Sequence, residues 1–408
     1  MMHLTGKERD WVLYDVGNSA FVMLTATVIP ICFKNVAEGT GMSAADSTAY
    51  FSYASSLVTV IAAVLGPVLG AVADMKGFKK PVFACFMGIG VLGCAMLGIP
   101  AGWLLFLGIY VIAKVGYQGS LTFYDSMLTD VTTDDRVDQV SAHGYAWGYI
   151  GSCIPFVISI LLILYAEPLG LGSTKAAALV FAFNAVWWFV LTLPLLRSFE
   201  QICYVEKKEH PVRESFERLF GVMKDVWNNR RIFWFLAAFF FYIDGVYTII
   251  DMATSYGKDV GISDADLMLA LLLMQMVAFP CSILFGSLAK KLEGGRLIRL
   301  SILGYLVIVL FAVRMSHAWE FWLLAVCVAV FQGGIQALSR SYFTRIIPKD
   351  QAAEYFGFYD IFGKGAAFMG TLMLGAATQL SGTSRTGIGL LSILFLAGYV
   401  LFRKAEKA

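Results

Sequence analysis

A chain of 408 residues with 58% apolar types and 15% charged residues departs from soluble composition, where apolar types reach roughly 45–50% and charges about 25%. A mean hydropathy of +0.71 makes a bilayer the solvent, and a net charge of +2, without Lys/Arg clusters interleaved with aromatics, excludes a nucleic-acid partner. Seven scattered cysteines, none in a CxxC pair, exclude a disulfide framework and a zinc site.

Lys7 and Arg9 precede an apolar run that reaches Ile31 without a small-residue cleavage site, so an uncleaved first span is predicted over 11–33. Eleven further stretches have the length of about 20 apolar residues that a spanning helix needs: 50–73, 81–99, 102–124, 143–165, 176–196, 232–256, 266–289, 297–314, 319–342, 354–380 and 386–402. The expectation is an all-α membrane protein of twelve helices. Turn residues such as Glu38-Gly39-Thr40-Gly41 and Ser381-Gly382-Thr383 punctuate their ends.

The one long connection, 197–231, divides the spans six and six. It predicts a six-helix bundle over 1–198, a cytoplasmic linker over 199–230 and a second bundle over 231–408. Phe216, Leu219, Phe220, Met223, Val226 and Trp227 recur at helical spacing in the linker, which predicts an amphipathic helix on the membrane surface.

Counting Lys and Arg on alternate sides, with the N-terminus inside, puts 23 on the inner segments and five outside. Both termini are therefore expected in the cytoplasm of a cell in whose inner or plasma membrane the chain sits. Three basic residues, Lys114, Arg340 and Lys364, fall inside spans and must face protein or water.

The halves echo each other. Gly70 to Asp74 returns as Gly286 to Lys290, Tyr117-Gln118-Gly119 as Phe331-Gln332-Gly333, Gly144-Tyr145 as Gly357-Phe358 and Pro67 as Pro280, at offsets of 213 to 216. A near-constant offset predicts parallel repeats with a central site at the midplane. The acidic stretch Asp130, Asp134, Asp135 and Asp138 around Arg136 lacks the Gly and terminal Glu of a calcium loop and is expected to be a solvated turn. No P-loop, G-x-S-x-G or H-E-x-x-H appears, so neither an ATP-driven pump nor a hydrolase is indicated. No cofactor or metal is called for, no enzyme activity is expected, and transport must draw on a gradient.

The loop Gly70-Ala71-Val72-Ala73-Asp74-Met75-Lys76-Gly77-Phe78-Lys79-Lys80 resembles the signature loop between the second and third helices of the major facilitator superfamily. Gly70 permits close helix packing, Gly77 a tight turn, and Asp74 can cap a helix N-terminus. The resemblance makes that partner the start of the eleventh helix, near Gln351 to Glu354, in a latch that forms when the cytoplasmic side is closed.

A narrower resemblance covers most of the chain. Tyr14-Asp15-Val16-Gly17-Asn18-Ser19-Ala20-Phe21 is similar to the D-W-A-N-S-A-F of the vacuole-effluxer-like family, the autophagy-related amino-acid effluxers with many bacterial members. Tyr242-Ile243-Asp244-Gly245-Val246-Tyr247-Thr248-Ile249 is similar to its Y-N-D-G-V-x-T-I, and Gly333 to Ser341 matches G-G-I-Q-A-L-S-R-S throughout. Gly357-Phe358-Tyr359 and Gly363-Lys364 look like its G-F-Y and S-G-K. The chain departs at Asp125 and Asp251, where many relatives carry Asn and Arg.

The resemblance implies a cavity lined by helices one, four, seven and ten, and a substrate set of Asn18, Tyr117, Gln118, Tyr242, Asp244, Tyr247, Gln332 and Gln336. The coupling or gating candidates are Asp15, Asp74, Lys114, Asp244, Asp251, Arg340, Asp360 and Lys364. Asp15 is a capping or gating residue or a coupling one; Asp244 is a proton carrier or the buried counter-ion of Lys114 or Lys364. Asp251 is an outer gate or simply exposed, Asp360 and Lys364 could neutralise each other at i, i+4, and Arg340 could pair with Asp125 or Asp130 at the cytoplasmic mouth.

The expected function is secondary transport of a small polar or zwitterionic solute by a monomer using alternating access, with a proton or sodium ion as partner. Amino acids or short peptides are favoured by the resemblance alone. Sugars, cell-wall fragments, amphipathic compounds and flipped lipids are the alternatives.

Overall fold

The computed structural model describes residues 4–100, 102–168, 170–206, 222–259, 262–381 and 383–408. Every predicted span is helical: α1 (Gly6–Ala26) with α2 (Val28–Glu38), α3 (Ala44–Ala73), α4 (Lys79–Met96), α5 (Trp103–Ser126) with the short α6 (Leu128–Val131), α7 (Val137–Leu164) and α8 (Gly172–Ser198). The second six are α9 (Arg230–Asp259), α10 (Asp264–Leu292), α11 (Gly294–Ala312), α12 (Ala318–Ile346), α13 (Ala352–Ser381) and α14 (Ser384–Lys407). Helix is the dictated solution, since lipid offers no partner to a main-chain N–H or C=O. Eleven of these segments, among the described residues, are long and apolar enough to cross a bilayer, and α13, with 30 residues, completes twelve by length.

Two local expectations change. The first span, predicted as one helix, breaks at Thr27 (φ −131°, ψ −72°). Pro30 follows within one turn and has no N–H to continue the ladder. Hydroxyls take over at the break: Thr27 donates to the Met23 carbonyl at 2.6 Å and Thr25 to that of Val22 at 2.8 Å. The acidic stretch is not a solvated turn throughout, because Asp130 and Asp138 are buried and each has a cationic partner described below. Of the linker helix, 222–228 is helical with Val222 and Val226 buried and Met223 and Trp227 exposed; Phe216, Leu219 and Phe220 lie outside the described residues.

The chain forms two compact units. Unit 1 comprises Met1–Val131, Trp147–Ser215 and Asp350–Gly357. In it α1 packs on α8, with the Phe21 and Trp188 rings 5.6 Å apart, and the Trp187 indole donates to the Val16 carbonyl at 3.2 Å. Trp11 stacks on Tyr124 at 4.3 Å and donates to its carbonyl, and the Tyr14 hydroxyl meets that of Ser120 at 2.6 Å, tying α1 to α5.

Unit 2 comprises Thr132–Ala146, Phe216–Lys349 and Phe358–Ala408. Here α9 packs on α14 as α1 does on α8, and Tyr305 of α11 stacks on Phe395 of α14 at 5.5 Å. A second Tyr–Ser pair, Tyr242 with Ser339 at 2.6 Å, joins the first helix of this bundle to its fourth. The same helix pairings recur in both units, so the sequence echoes are matched at the level of packing. The units do not divide at a single point: the first residues of α7 belong with unit 2 and those of α13 with unit 1.

Candidate functional site

The loop that closes α3 is held from two sides within unit 1. Gly70 lies so near the start of α13 that an added Cβ would stand 2.6 Å from the Ala353 carbonyl oxygen and 2.7 Å from the Glu354 Cα. This approach lets Asp74, at the end of α3, accept from the N–H groups of Ala353 and Glu354, each at 2.9 Å. Those donors belong to the first turn of α13, where helix geometry leaves N–H groups without an internal acceptor and the helix dipole favours an anion.

Lys79 supplies the opposite charge. Fully buried, its Nζ stands 2.8 Å from Asp130 and 3.9 Å from Asp74. Burial pushes the Asp74 carboxyl up to about 7, against the lowering pull of Lys79 and of the two main-chain donors. Gly77 takes φ +81° to turn the loop.

The second side is the start of the linker, which the sequence reading left without a role. The Gln201 side chain accepts from the Gly77 N–H at 2.9 Å and the Lys79 N–H at 3.4 Å, and donates to the Ala73 and Asp74 carbonyls at 3.2 and 3.4 Å. Val205 forms a bridge with Met75, and the N–H groups of Ile202 and Cys203 donate to Asp130 at 2.8 and 2.7 Å. No local pattern marks Gln201 in the sequence, because its partners in the 73–80 loop lie more than 120 residues away.

Unit 2 carries the repeat counterpart without the acid. Gly286 packs on the start of α7, where an added Cβ would lie 2.5 Å from that of Ala142. Lys290 occupies the position echoing Asp74. The first turn of α7 instead provides its own Asp138, which accepts from Ser341 and pairs with Arg345, while Asp134 pairs with Lys349 at 2.7 Å.

Arg340 is buried in unit 2. Its Nε donates to the Ser141 hydroxyl at 2.9 Å and an Nη to the Ser141 carbonyl at 3.0 Å, and its guanidinium lies 4.4 Å from the Tyr145 ring centroid. Asp130, one of the two partners expected for Arg340 beside Asp125, pairs with Lys79 and accepts from the linker.

The remaining candidates separate by whether their hydrogen bonds are already made. Asp15 accepts from the Tyr124 hydroxyl at 2.8 Å, and Asn18 donates to the Tyr14 carbonyl, so both brace α1. Tyr117 is buried against Phe21 and Trp188, and Lys114 donates to Thr25 at 3.1 Å. Tyr242 is spent on Ser339. Gln336 is buried, Tyr247 and Asp360 are half-buried and Asp251 is exposed; the Lys364 side chain lies outside the described residues.

Three groups keep unspent capacity. The amide oxygens of Gln118 and Gln332, the repeat-related pair, are buried without a hydrogen-bond partner among the described residues. Asp244, fully buried, accepts at Oδ1 from the Gly370 N–H at 2.9 Å and the Thr248 hydroxyl at 3.3 Å, while Oδ2 has no hydrogen-bond partner among the described residues. Of the two counter-ions expected for Asp244, Lys114 donates to Thr25 instead, and the Lys364 side chain lies outside the described residues. Gly370 was not legible as a site residue, being one of many glycines in an apolar helix.

Residues 7–406 match the family model described as vacuole effluxer Atg22 like. The chain is 45% identical over 406 residues to YxiO of Bacillus subtilis (strain 168), described as an uncharacterized MFS-type transporter, covering 98% of this chain and 95% of the relative. It is 25% identical over 285 residues to autophagy-related protein 22-1 of Penicillium rubens, covering 63% of this chain and 47% of that one. Among solved structures, the human organic anion transporter MFSD10 superposes with a TM-score of 0.74 at 14% identity, over 97% of this chain and 99% of its own. The E. coli fucose:proton symporter FucP gives 0.72 at 14% identity, over 98% and 97%. These structures share the fold with the chain.

Proposed function

The chain belongs to the vacuole effluxer Atg22-like family of major facilitator transporters, and on that footing we propose that it moves a small zwitterionic solute, an amino acid or short peptide, by proton-coupled alternating access. The observation that carries this reading is the repeat-related pair Gln118 and Gln332. Each amide oxygen is buried without a hydrogen-bond partner among the described residues, at a cost of about 1–3 kcal/mol for a buried group. Such a cost is what a donor on a ligand, an ammonium group for one, would repay. Gln336, one turn from Gln332 on the same face, and Tyr247, one turn from Asp244, extend the polar set.

Asp244 is the proton carrier in this reading. A carboxylate with one oxygen unbonded and no ion-pair partner among the described residues, inside a span, holds its charge at high cost and is relieved by a proton on Oδ2. The contact of Asp74 with the α13 N-terminus is the closed form of a cytoplasmic latch, with Asp15, Asp251, Asp360, Lys364 and Arg340 as supporting gate residues. The charge asymmetry of the loops supports a cytoplasmic position for both termini and the linker.

The test uses purified protein in proteoliposomes with an imposed pH gradient and a pool of labelled amino acids and dipeptides. Accumulation by the wild type is expected. Asp244→Asn should lose accumulation yet retain solute exchange, because the amide resembles the protonated acid, and Gln118→Ala and Gln332→Ala should each raise KM. Gradient-driven accumulation by the Asn variant at the wild-type rate and pH dependence overturns the coupling role.

A second reading, export of amphipathic compounds, is favoured by one observation: an apolar recess inside unit 2 lined by Thr248, Tyr256, Met274, Phe321, Leu374 and Leu391. Saturable transport of a hydrophobic cation in the same vesicles, with no amino-acid uptake, would select it.

A further inference from the structure

The partners of Asp244 lie on two helices. Thr248 is one turn along α9, but Gly370 is in the middle of α13, 126 residues away in sequence. A main-chain N–H inside a helix ordinarily belongs to the carbonyl one turn earlier. At Gly370 it is also drawn sideways by a carboxylate of another helix, 2.9 Å away. Only glycine permits this approach: an added Cβ would fall well inside van der Waals contact of both Asp244 Oδ1 and the Thr248 hydroxyl.

We propose that Asp244, Thr248 and Gly370 form a proton-operated hook, in which the ionised carboxylate holds α13 to α9 and protonation loosens it. The inference rests on the reading of Asp244 as the proton carrier and adds the route by which the proton moves a helix. The proton adds to Oδ2, the oxygen with no partner among the described residues, and the carboxylic acid keeps Oδ1 as a neutral acceptor. Hydrogen bonds to a charged acceptor are roughly twice as strong as neutral ones, so the grip on the Gly370 N–H weakens without a new contact having to form.

Besides Gly370, α13 carries charged residues at Asp360, half-buried, and Lys364, whose side chain lies outside the described residues. The elements packed on this stretch of α9 bring Phe395 and Gly398 from α14, Ser339 from α12, and Gly363 and Gly370 from α13. The titratable groups on neighbouring turns of α9 are Tyr242, Tyr247 and Asp251, and Tyr242 is spent on Ser339. Among the described residues no charged side chain is hydrogen-bonded to or ion-paired with Asp244.

The experiment is hydrogen–deuterium exchange of full-length protein in nanodiscs, read on the α13 segment 366–374 and corrected for intrinsic exchange. The wild type should be better protected at high pH than at low. Asp244→Asn should show the low-pH level at both. Gly370→Ala should exchange on the order of tenfold faster whatever the pH, the worth of about one charge-assisted bond in an opening equilibrium.

Asp244→Ala combined with Gly370→Ala should add nothing to either single change. Thr248→Val, a milder variant that removes one of the two donors, should give a smaller rise in exchange. Unchanged exchange in Asp244→Asn, or fully additive effects in the double variant, overturns the hook. Loss of proton-driven accumulation in Asp244→Asn without altered exchange sinks the hook and leaves the coupling reading intact; altered exchange with wild-type accumulation does the reverse.

Discussion

The latch at Asp74 should tighten as pH falls. In the latched state the carboxyl sits near 7 because burial penalises its charge more than Lys79 and two N–H groups relieve it; released into water it returns to roughly 3.9. The latched form therefore binds protons more tightly than the open one between these values. A carboxyl raised in one state favours that state at low pH, and the preference is lost as pH rises through the raised value. Between pH 8 and pH 6 the open state stays ionised while the latched state goes from mostly charged to mostly neutral. The ratio of latched to open should rise about tenfold, equivalent to about 1.4 kcal/mol.

Spin labels on Lys76→Cys and Asp350→Cys in a cysteine-free background, with distance distributions at both pH values, read the two populations directly. Asp74→Asn should abolish the pH response. It should also lower the latched fraction, because an NH2 replaces one of the two acceptor oxygens that face the Ala353 and Glu354 N–H groups. A latched fraction that is flat or rises with pH in the wild type, or a full pH response in Asp74→Asn, refutes the reasoning.

Gly70→Val should force α3 and the start of α13 apart, since its Cβ alone meets backbone at 2.6 Å; a loss of about 1–3 kcal/mol from the latched state is expected, read as a shorter-lived short-distance population with the same labels. Gln201→Ala removes four hydrogen bonds from the 73–80 loop and should speed deuterium uptake there while leaving the transmembrane segments unchanged; uptake equal to wild type would show the strap to be idle. Arg340→Met deletes a buried guanidinium bonded twice to Ser141 and should lower the melting temperature, by about 2–3 kcal/mol of stability, whereas a pure ligand contact would spare stability and reduce only transport. Cysteine labelling that places 203–206 on the outer side of the membrane would reverse the predicted orientation.

The sequence by itself determined the solvent, the number of spans, their order and the two-fold repetition, because each follows from quantities local to a stretch of chain: apolar length and spacing of like motifs. It also singled out Asp74 and Asp244 as candidates. What those charges touch was decided only in three dimensions. Asp74 meets an N-terminus 280 residues away, Asp244 a glycine N–H 126 residues away, and Asp130 is buried rather than solvated because Lys79 and the linker close over it. Hydropathy carries no information about which main-chain donors are left over at a helix end, or which glycine lets a neighbouring helix come near enough to be bonded. Gln201 and Gly370 acquire meaning only when folding brings distant acceptors to their amide and main-chain hydrogens.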